Sequence, residues 1–96
     1  MSHPLLTFYA KVHARRELSK EGYSRRQIND VMGQVDGEAI DAAAALAGPE
    51  TESEVGKVSA IGDGTILAAI MAFLQSPQGQ ALIAALMKML LGLLGG

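Results

Sequence analysis

The sequence contains no cysteine and no tryptophan, and only two tyrosines and two phenylalanines among its 96 residues. Without cysteine, neither disulfides nor thiolate-bound metals can support a chain whose small size buries a modest fraction of its surface. The two histidines, His3 and His13, have no cluster of metal-ligating side chains around them in the sequence. We therefore expect no structural metal and no cofactor, and we expect a partner protein or lipid to provide the remaining stabilisation.

A period-two alternation of apolar and polar residues is also missing, and β-branched residues are scattered. Strands are therefore not expected. The first ten residues lack a basic region followed by an apolar run, so no signal peptide is predicted. The predicted fold class is all-α, with three short amphipathic helices, an acidic linker and two strongly apolar C-terminal helices that form a kinked pair or a hairpin.

No arrangement of side chains typical of catalysis occurs in the sequence. His13 and Glu17 lie four residues apart, but no nucleophile accompanies them, so a solvent-exposed ion pair is the favoured interpretation. The acidic residues of 36–41 lack the spacing of a calcium loop. The glycine-containing stretch 62–64 is not followed by the residues of a phosphate loop. The sequence predicts a protein that is not an enzyme and has no small-molecule substrate.

Charge is distributed unevenly along the chain, although the net charge is only −2. Residues 1–26 carry six basic and two acidic side chains, whereas residues 27–63 carry eight acidic side chains and one lysine. Residues 64–96 carry a single charged side chain, Lys88. Such segregation indicates that the three segments face different environments, or that the first two attract each other within one fold.

Capping signals predict three helices in residues 1–48, which we call the head. The first runs from Pro4 to Lys20, with proline in its first turn and Gly22 as a left-handed cap. Ser24 and Gln27 form a capping box for a second helix over 25–34. Asp36 caps an alanine-rich third helix that ends at 48–49. The apolar stripe predicted for the first helix consists of Leu5, Phe8, Tyr9 and Val12.

Residues 49–63 are polar, acidic and without helical periodicity, so they are predicted to be a linker and a turn. Residues 64–96, the tail, predict one helix over 65–75 that is apolar nearly all round and a second over 77–94. The second is barely long enough for a bilayer, since a span needs about 20 apolar residues. Because Lys88 would cost about 3 kcal/mol at the bilayer centre, a single transmembrane helix is disfavoured.

Three sets of residues are candidates for contact with partners. Large apolar side chains of the tail are predicted to meet another subunit or lipid: Ile66, Leu67, Ile70, Met71, Phe73, Leu74, Leu82, Ile83, Leu86, Met87, Leu90, Leu91 and Leu94. Small residues at four-residue spacing predict close helix packing at Ala68, Ala72, Ala81 and Ala85. The predicted basic surface consists of Lys11, Arg15, Arg16, Lys20, Arg25 and Arg26.

The sequence favours a structural subunit that assembles through its tail, because the head offers few apolar side chains to cover two such helices. The expected partner is a second copy or a larger protein assembly, and the expected setting is a virus particle or a membrane-associated complex. The first alternative is a membrane-active protein whose tail helices insert into a lipid bilayer and form a pore.

A second alternative rests on residues 23–46, which resemble a helix-turn-helix in outline. The second helix would have to contact bases. Its polar residues, Glu38 and Asp41, are acidic, and it has no Arg, Lys, Asn or Gln for base contacts. The basic surface fits nucleic acid backbone or anionic lipid, or it is a solvated helix face. Nucleic acid is the less favoured partner.

Overall fold

Six helices form the computed structural model, which describes residues 3–62 and 64–95 of the chain. No strand occurs within those residues, so the all-α prediction is confirmed. In chain order the helices are α1 (Pro4–Lys20), α2 (Arg25–Met32), α3 (Gly37–Ala47), α4 (Pro49–Ser59), α5 (Ile66–Gln75) and α6 (Pro77–Leu94).

Local capping fixes the ends of the first two helices as predicted. Gly22 adopts a φ of +95° after α1, and its N–H donates to the carbonyl of Ser19. The N–H of Tyr23 donates to the carbonyl of Leu18, which completes a Schellman motif. At α2, the Ser24 hydroxyl accepts from the Gln27 N–H, and the Gln27 side chain accepts from the Ser24 N–H. Both backbone donors at this helix start are thereby satisfied.

The linker predicted over residues 49–63 is wrong for most of its length, because residues 49–59 form α4. Pro49 occupies the first turn, where a proline lacks no hydrogen bond, and the first-turn acids favour the helix dipole. Thr51, Val55 and Val58 recur at helical spacing and are buried. A buried threonine and two valines gave too weak a periodicity to predict this helix. Asp63, in the predicted turn, lies outside the described residues.

The apolar tail is not a separate body but the centre of the fold. Helix α6 contacts each of the other five helices. The radius of gyration is 12.8 Å, close to the value of about 12.5 Å expected for one compact domain of this length. Head, α4 and tail therefore share one core. Its largest fully buried side chains are Leu6, Leu18, Ile40, Ile70, Leu82 and Leu86.

Helices α4 and α6 start together, next to the end of α3. Pro49 and Pro77, the first residues of α4 and α6, line the same depression as Ala47 at the end of α3. The N–H of His3 donates to the hydroxyl of Ser59 at 3.1 Å, which places the start of α1 against the end of α4.

Helix α1 turns a different side to the core from the one predicted. Its buried residues are Leu6, Ala10, Ala14 and Leu18. The stripe predicted from Leu5, Phe8 and Val12 faces outward, and Phe8 remains 56% exposed. Small Ala10 and Ala14 side chains let neighbouring helices approach closely, and this outweighs the larger apolar area of the other stripe. The prediction of a single apolar stripe on α1 was therefore wrong.

Candidate interaction surfaces

Helix α6 is long and apolar enough to cross a membrane, by length and composition. Four of its 18 residues are buried, namely Gly79, Leu82, Leu86 and Leu90, and they form one stripe along the helix. Eight more residues are half-buried and six are exposed. The helix is therefore covered on most sides, as its hydropathy requires, and leaves a narrow outward strip open.

The outward side of α6 carries small side chains around one lysine. Ala84 and Lys88 are exposed, and Ala81 and Ala85 beside them are half-buried. Leu46 of α3 stands next to this side with 67% of its surface exposed, the largest value among the exposed large apolar residues. Leu46, Ala84, Ala85 and Lys88 line a shallow depression of about 330 Å³. We call Leu46, Ala81, Ala84, Ala85 and Lys88 the α6 face.

The large apolar residues predicted as an interface divide into two groups. A first group lies in the core of the single chain, where it contacts residues of the same chain: Ile66, Ile70, Phe73, Leu74, Leu82, Leu86 and Leu90. These side chains are already covered and do not reach a partner in this fold. The remaining candidates are half-buried at the rim of the core, apart from the exposed Leu67: Met71, Ile83, Met87, Leu91 and Leu94.

Of the small residues predicted to allow close helix packing, Ala68 and Ala72 of α5 are exposed, and Ala81 and Ala85 of α6 are half-buried. The closest packing between helices occurs instead at Gly79 of α6. A Cβ built there would lie 1.8 Å from the carbonyl oxygen of Phe73, so no side chain fits. The sequence places this glycine two residues after Pro77 but carries no other signal for its role.

A second unpartnered surface lies on the outward side of α1. Leu5, Phe8 and Val12 recur there at helical spacing, and they are 37%, 56% and 38% exposed. Phe8 packs edge-to-face on Tyr9, with ring centroids 5.1 Å apart. We call Leu5, Phe8 and Val12 the α1 stripe.

The predicted basic residues continue from this stripe along α1 and onto α2. Arg15, Arg16 and Lys20 are exposed along the second half of α1. The guanidinium of Arg15 donates to the side-chain oxygen of Asn29 at 2.7 Å, which joins α1 to α2. Lys20 lies 3.5 Å from Glu17, so Glu17 pairs with this lysine. Arg25 and Arg26 are exposed at the start of α2, and Lys11 is half-buried.

Most of the exposed acids lie at α3 and α4, although Glu21 at the end of α1 and Asp30 on α2 are exposed as well. Glu38 lies on α3, and Glu50 and Glu52 lie on the first turn of α4. Glu54 pairs with Lys57 at 3.4 Å on the same helix. The charge asymmetry of the sequence is therefore an asymmetry of the folded surface, with a basic side at α1 and α2 and an acidic side at α3 and α4.

Within residues 3–62 and 64–95, no three side chains among His, Cys, Asp and Glu come close enough together to hold a metal ion. The depressions on the surface are shallow and open, and one of about 530 Å³ lies between the end of α3 and the starts of α4 and α6. The residues that the arrangement brings together are therefore apolar, small or basic, and they are suited to contact with a surface.

Comparisons with protein-family models, with curated proteins and with solved structures find no match to this chain. The function is accordingly argued from the α6 face, the α1 stripe and the charges that accompany them.

Proposed function

We propose that the protein is a non-enzymatic assembly subunit that self-associates through the α6 face. One observation carries the proposal: Leu46, which is 67% exposed, stands beside Ala84 and Ala85 on the outward side of α6, a helix apolar enough to span a membrane. A helix so apolar is stable when its other side is covered as well. Exposed apolar patches of this kind mark sites of contact with proteins or membranes.

A second copy of the same face is a suitable cover. Most soluble oligomers are homo-oligomers, and in a twofold dimer each copy presents the same patch to the other. Ala81, Ala84 and Ala85 would let two α6 helices approach closely. The protruding Leu46 of one copy would fill the shallow depression beside α6 of the other. Lys88 has a long aliphatic stem that can lie along the contact while its ammonium reaches water at the edge.

Insertion of α6 into a bilayer, the pore-forming alternative, is less well supported. Leu82, Leu86 and Leu90 would have to leave the core, where each is at most 2% exposed. Withdrawing each buried leucine costs about 2 kcal/mol of burial before any lipid contact is gained. Lys88 would add about 3 kcal/mol at the bilayer centre. Leakage of a dye from vesicles on addition of the full chain would favour the pore instead.

The helix-turn-helix alternative is also less well supported. The predicted reading helix, α3, presents Glu38, Ala42 and Ala45 outward. These residues offer no donor pattern for base edges, and the carboxylate repels phosphate. Recognition of a DNA sequence by α3 is therefore not proposed. The setting expected from the sequence, a virus particle or a membrane-associated complex, stays a prediction.

Sedimentation equilibrium of the full chain in detergent-free buffer tests the proposal. We expect a discrete oligomer, and we expect Ala84→Glu and Leu46→Glu each to weaken association at least tenfold. The control is Ala68→Glu, which adds the same charge at an exposed alanine of another apolar helix, α5. The proposal is contradicted if the chain stays monomeric at every concentration. It is also contradicted if Ala68→Glu dissociates the oligomer while Ala84→Glu does not.

A further inference from the structure

The α1 stripe is independent of the α6 face and has a different chemistry. Leu5, Phe8 and Val12 are large, and they occupy the outward side of α1 opposite Leu6, Ala10, Ala14 and Leu18. Helix α1 therefore has two apolar sides, of which the core uses one. Exposure of three large apolar side chains on one helix face has no structural benefit within the single chain.

The second half of the same outward face is basic. Arg15, Arg16 and Lys20 continue the face where the apolar residues end, and Arg25 and Arg26 flank it from α2. The hydrogen bond from Arg15 to Asn29 holds the start of this basic region in a fixed position relative to α2. Residues 5–26 thus present an apolar patch and a net basic cluster side by side, with Glu17 and Glu21 the acids among the cations.

We infer that this surface binds the interface of an anionic lipid bilayer, with the α1 stripe entering the headgroup region and the arginines and lysines contacting lipid phosphates and carboxylates. Interfacial helices have this composition, with aromatic and aliphatic residues on one part and lysine and arginine on the other. Basic side chains near an anionic leaflet each contribute about a fivefold gain in affinity. The binding is peripheral: the core stays folded and α6 does not insert.

Lipid is favoured over the other occupants by the pairing of large apolar residues with cations. Nucleic acid is bound through phosphates by cations, which leaves Leu5, Phe8 and Val12 without a function. An acidic partner, including the acidic side of a second copy, would match the cations. However, the exposed acids Glu50 and Glu52 lie on α4, a helix that has no exposed apolar patch of similar size. A bilayer provides apolar depth and negative charge together.

Vesicle flotation of the full-length chain tests the inference. The probes are phosphatidylcholine vesicles and vesicles in which about a third of the lipid is phosphatidylserine. We expect binding to the anionic vesicles at low salt, and at least tenfold weaker binding to the neutral ones. Phe8→Asp should lower the affinity at least tenfold, and the double variant Arg16→Gln, Arg26→Gln should lower it about 25-fold.

The matched control is Ala42→Asp, which adds the same charge on the exposed side of α3, away from α1. It should bind vesicles as the unchanged chain does. Circular dichroism confirms that each variant is folded. The inference is overturned if the chain does not float with anionic vesicles, if Ala42→Asp weakens flotation as much as Phe8→Asp, or if the basic variant loses DNA binding while vesicle binding is unchanged.

The same variants separate this inference from the proposed self-association. Phe8→Asp should leave the sedimentation mass unchanged, and Ala84→Glu should lower that mass while the monomer still prefers anionic over neutral vesicles. If Phe8→Asp instead dissociates the oligomer in the absence of lipid, the α1 stripe is a contact between copies, and the lipid inference is overturned while self-association stands.

Discussion

Helices α1 and α6 are the two longest helices, and both bury one side while leaving another apolar side uncovered. They differ in what the uncovered side contains. On α6 it holds alanines around one lysine, which suits close contact with another helix. On α1 it holds leucine, phenylalanine and valine next to several cations, which suits a charged and deformable surface. Side-chain size and nearby charge on the uncovered side therefore favour a different kind of contact for each helix.

The largest loss of stability is expected from changing Gly79, the residue at which α6 packs against α5. Gly79→Ala would place a methyl group 1.8 Å from the carbonyl oxygen of Phe73. Because backbone rather than a flexible side chain opposes it, we expect a loss of more than about 3 kcal/mol, above the usual cost of overpacking. Urea unfolding at fixed protein concentration measures this. Gly92→Ala, in open space on the same helix, is the control.

The buried sides of the two helices should prove equivalent, although their outward sides differ. Leu18 of α1 and Leu86 of α6 are both 0% exposed. Leu18→Ala and Leu86→Ala should each cost about 3 kcal/mol, since each removes the same atoms and leaves a cavity. Urea midpoints compare them directly. A cost below about 1 kcal/mol for Leu86→Ala alone would mean that α6 is not held in the core.

Loss of a helix cap should lower the stability by less than these core substitutions do. Ser76→Ala removes the hydroxyl that accepts from the Gly79 N–H at the start of α6, and we expect a loss of about 1 kcal/mol. Ser24→Ala, at the capping box that follows α1, should cost a similar amount. Thermal unfolding of both variants beside Ser53→Ala, an exposed serine inside α4, distinguishes a cap effect from a general loss of a hydroxyl.

The smallest change in stability is expected at the α1 stripe, the surface inferred to contact lipid. Phe8→Ser alters a side chain that is 56% exposed, so the free energy of unfolding should change by no more than about 0.5 kcal/mol. A loss above about 2 kcal/mol would assign the α1 stripe to the fold of the single chain, and would remove the reason to seek an external partner for it.

Much of the fold followed from local signals in the sequence. Pro4, Gly22, Ser24, Asp36 and Ser76 each define a helix end through contacts within a few residues, and those ends lie at or within two residues of the predicted ones. Contacts between distant residues were not predictable in the same way. The side of α1 that is buried depends on the small residues Ala10 and Ala14 meeting other helices, and composition alone favoured the larger side chains.

The candidate surfaces were predicted less well than the fold for the same reason. The basic residues form a cluster in the sequence, and the structure leaves all of them exposed except the half-buried Lys11, while what they bind stays a prediction. The apolar tail, however, divides into buried and uncovered sides only when α3 and α4 are in place beside it. Leu46, exposed beside α6, had no distinguishing feature within an alanine-rich helix.

The single-residue connections between helices affect the order in which parts of the chain fold. Gly48, with a φ of +123°, both ends α3 and begins α4, and Ser76 alone separates α5 from α6. Each pair of helices can therefore meet with almost no loss of loop entropy, so we expect both pairs to form early and α1 to dock last. Pulse-labelled hydrogen exchange during refolding should detect protection in α3 and α4 before α1, and the opposite order would contradict this sequence of events.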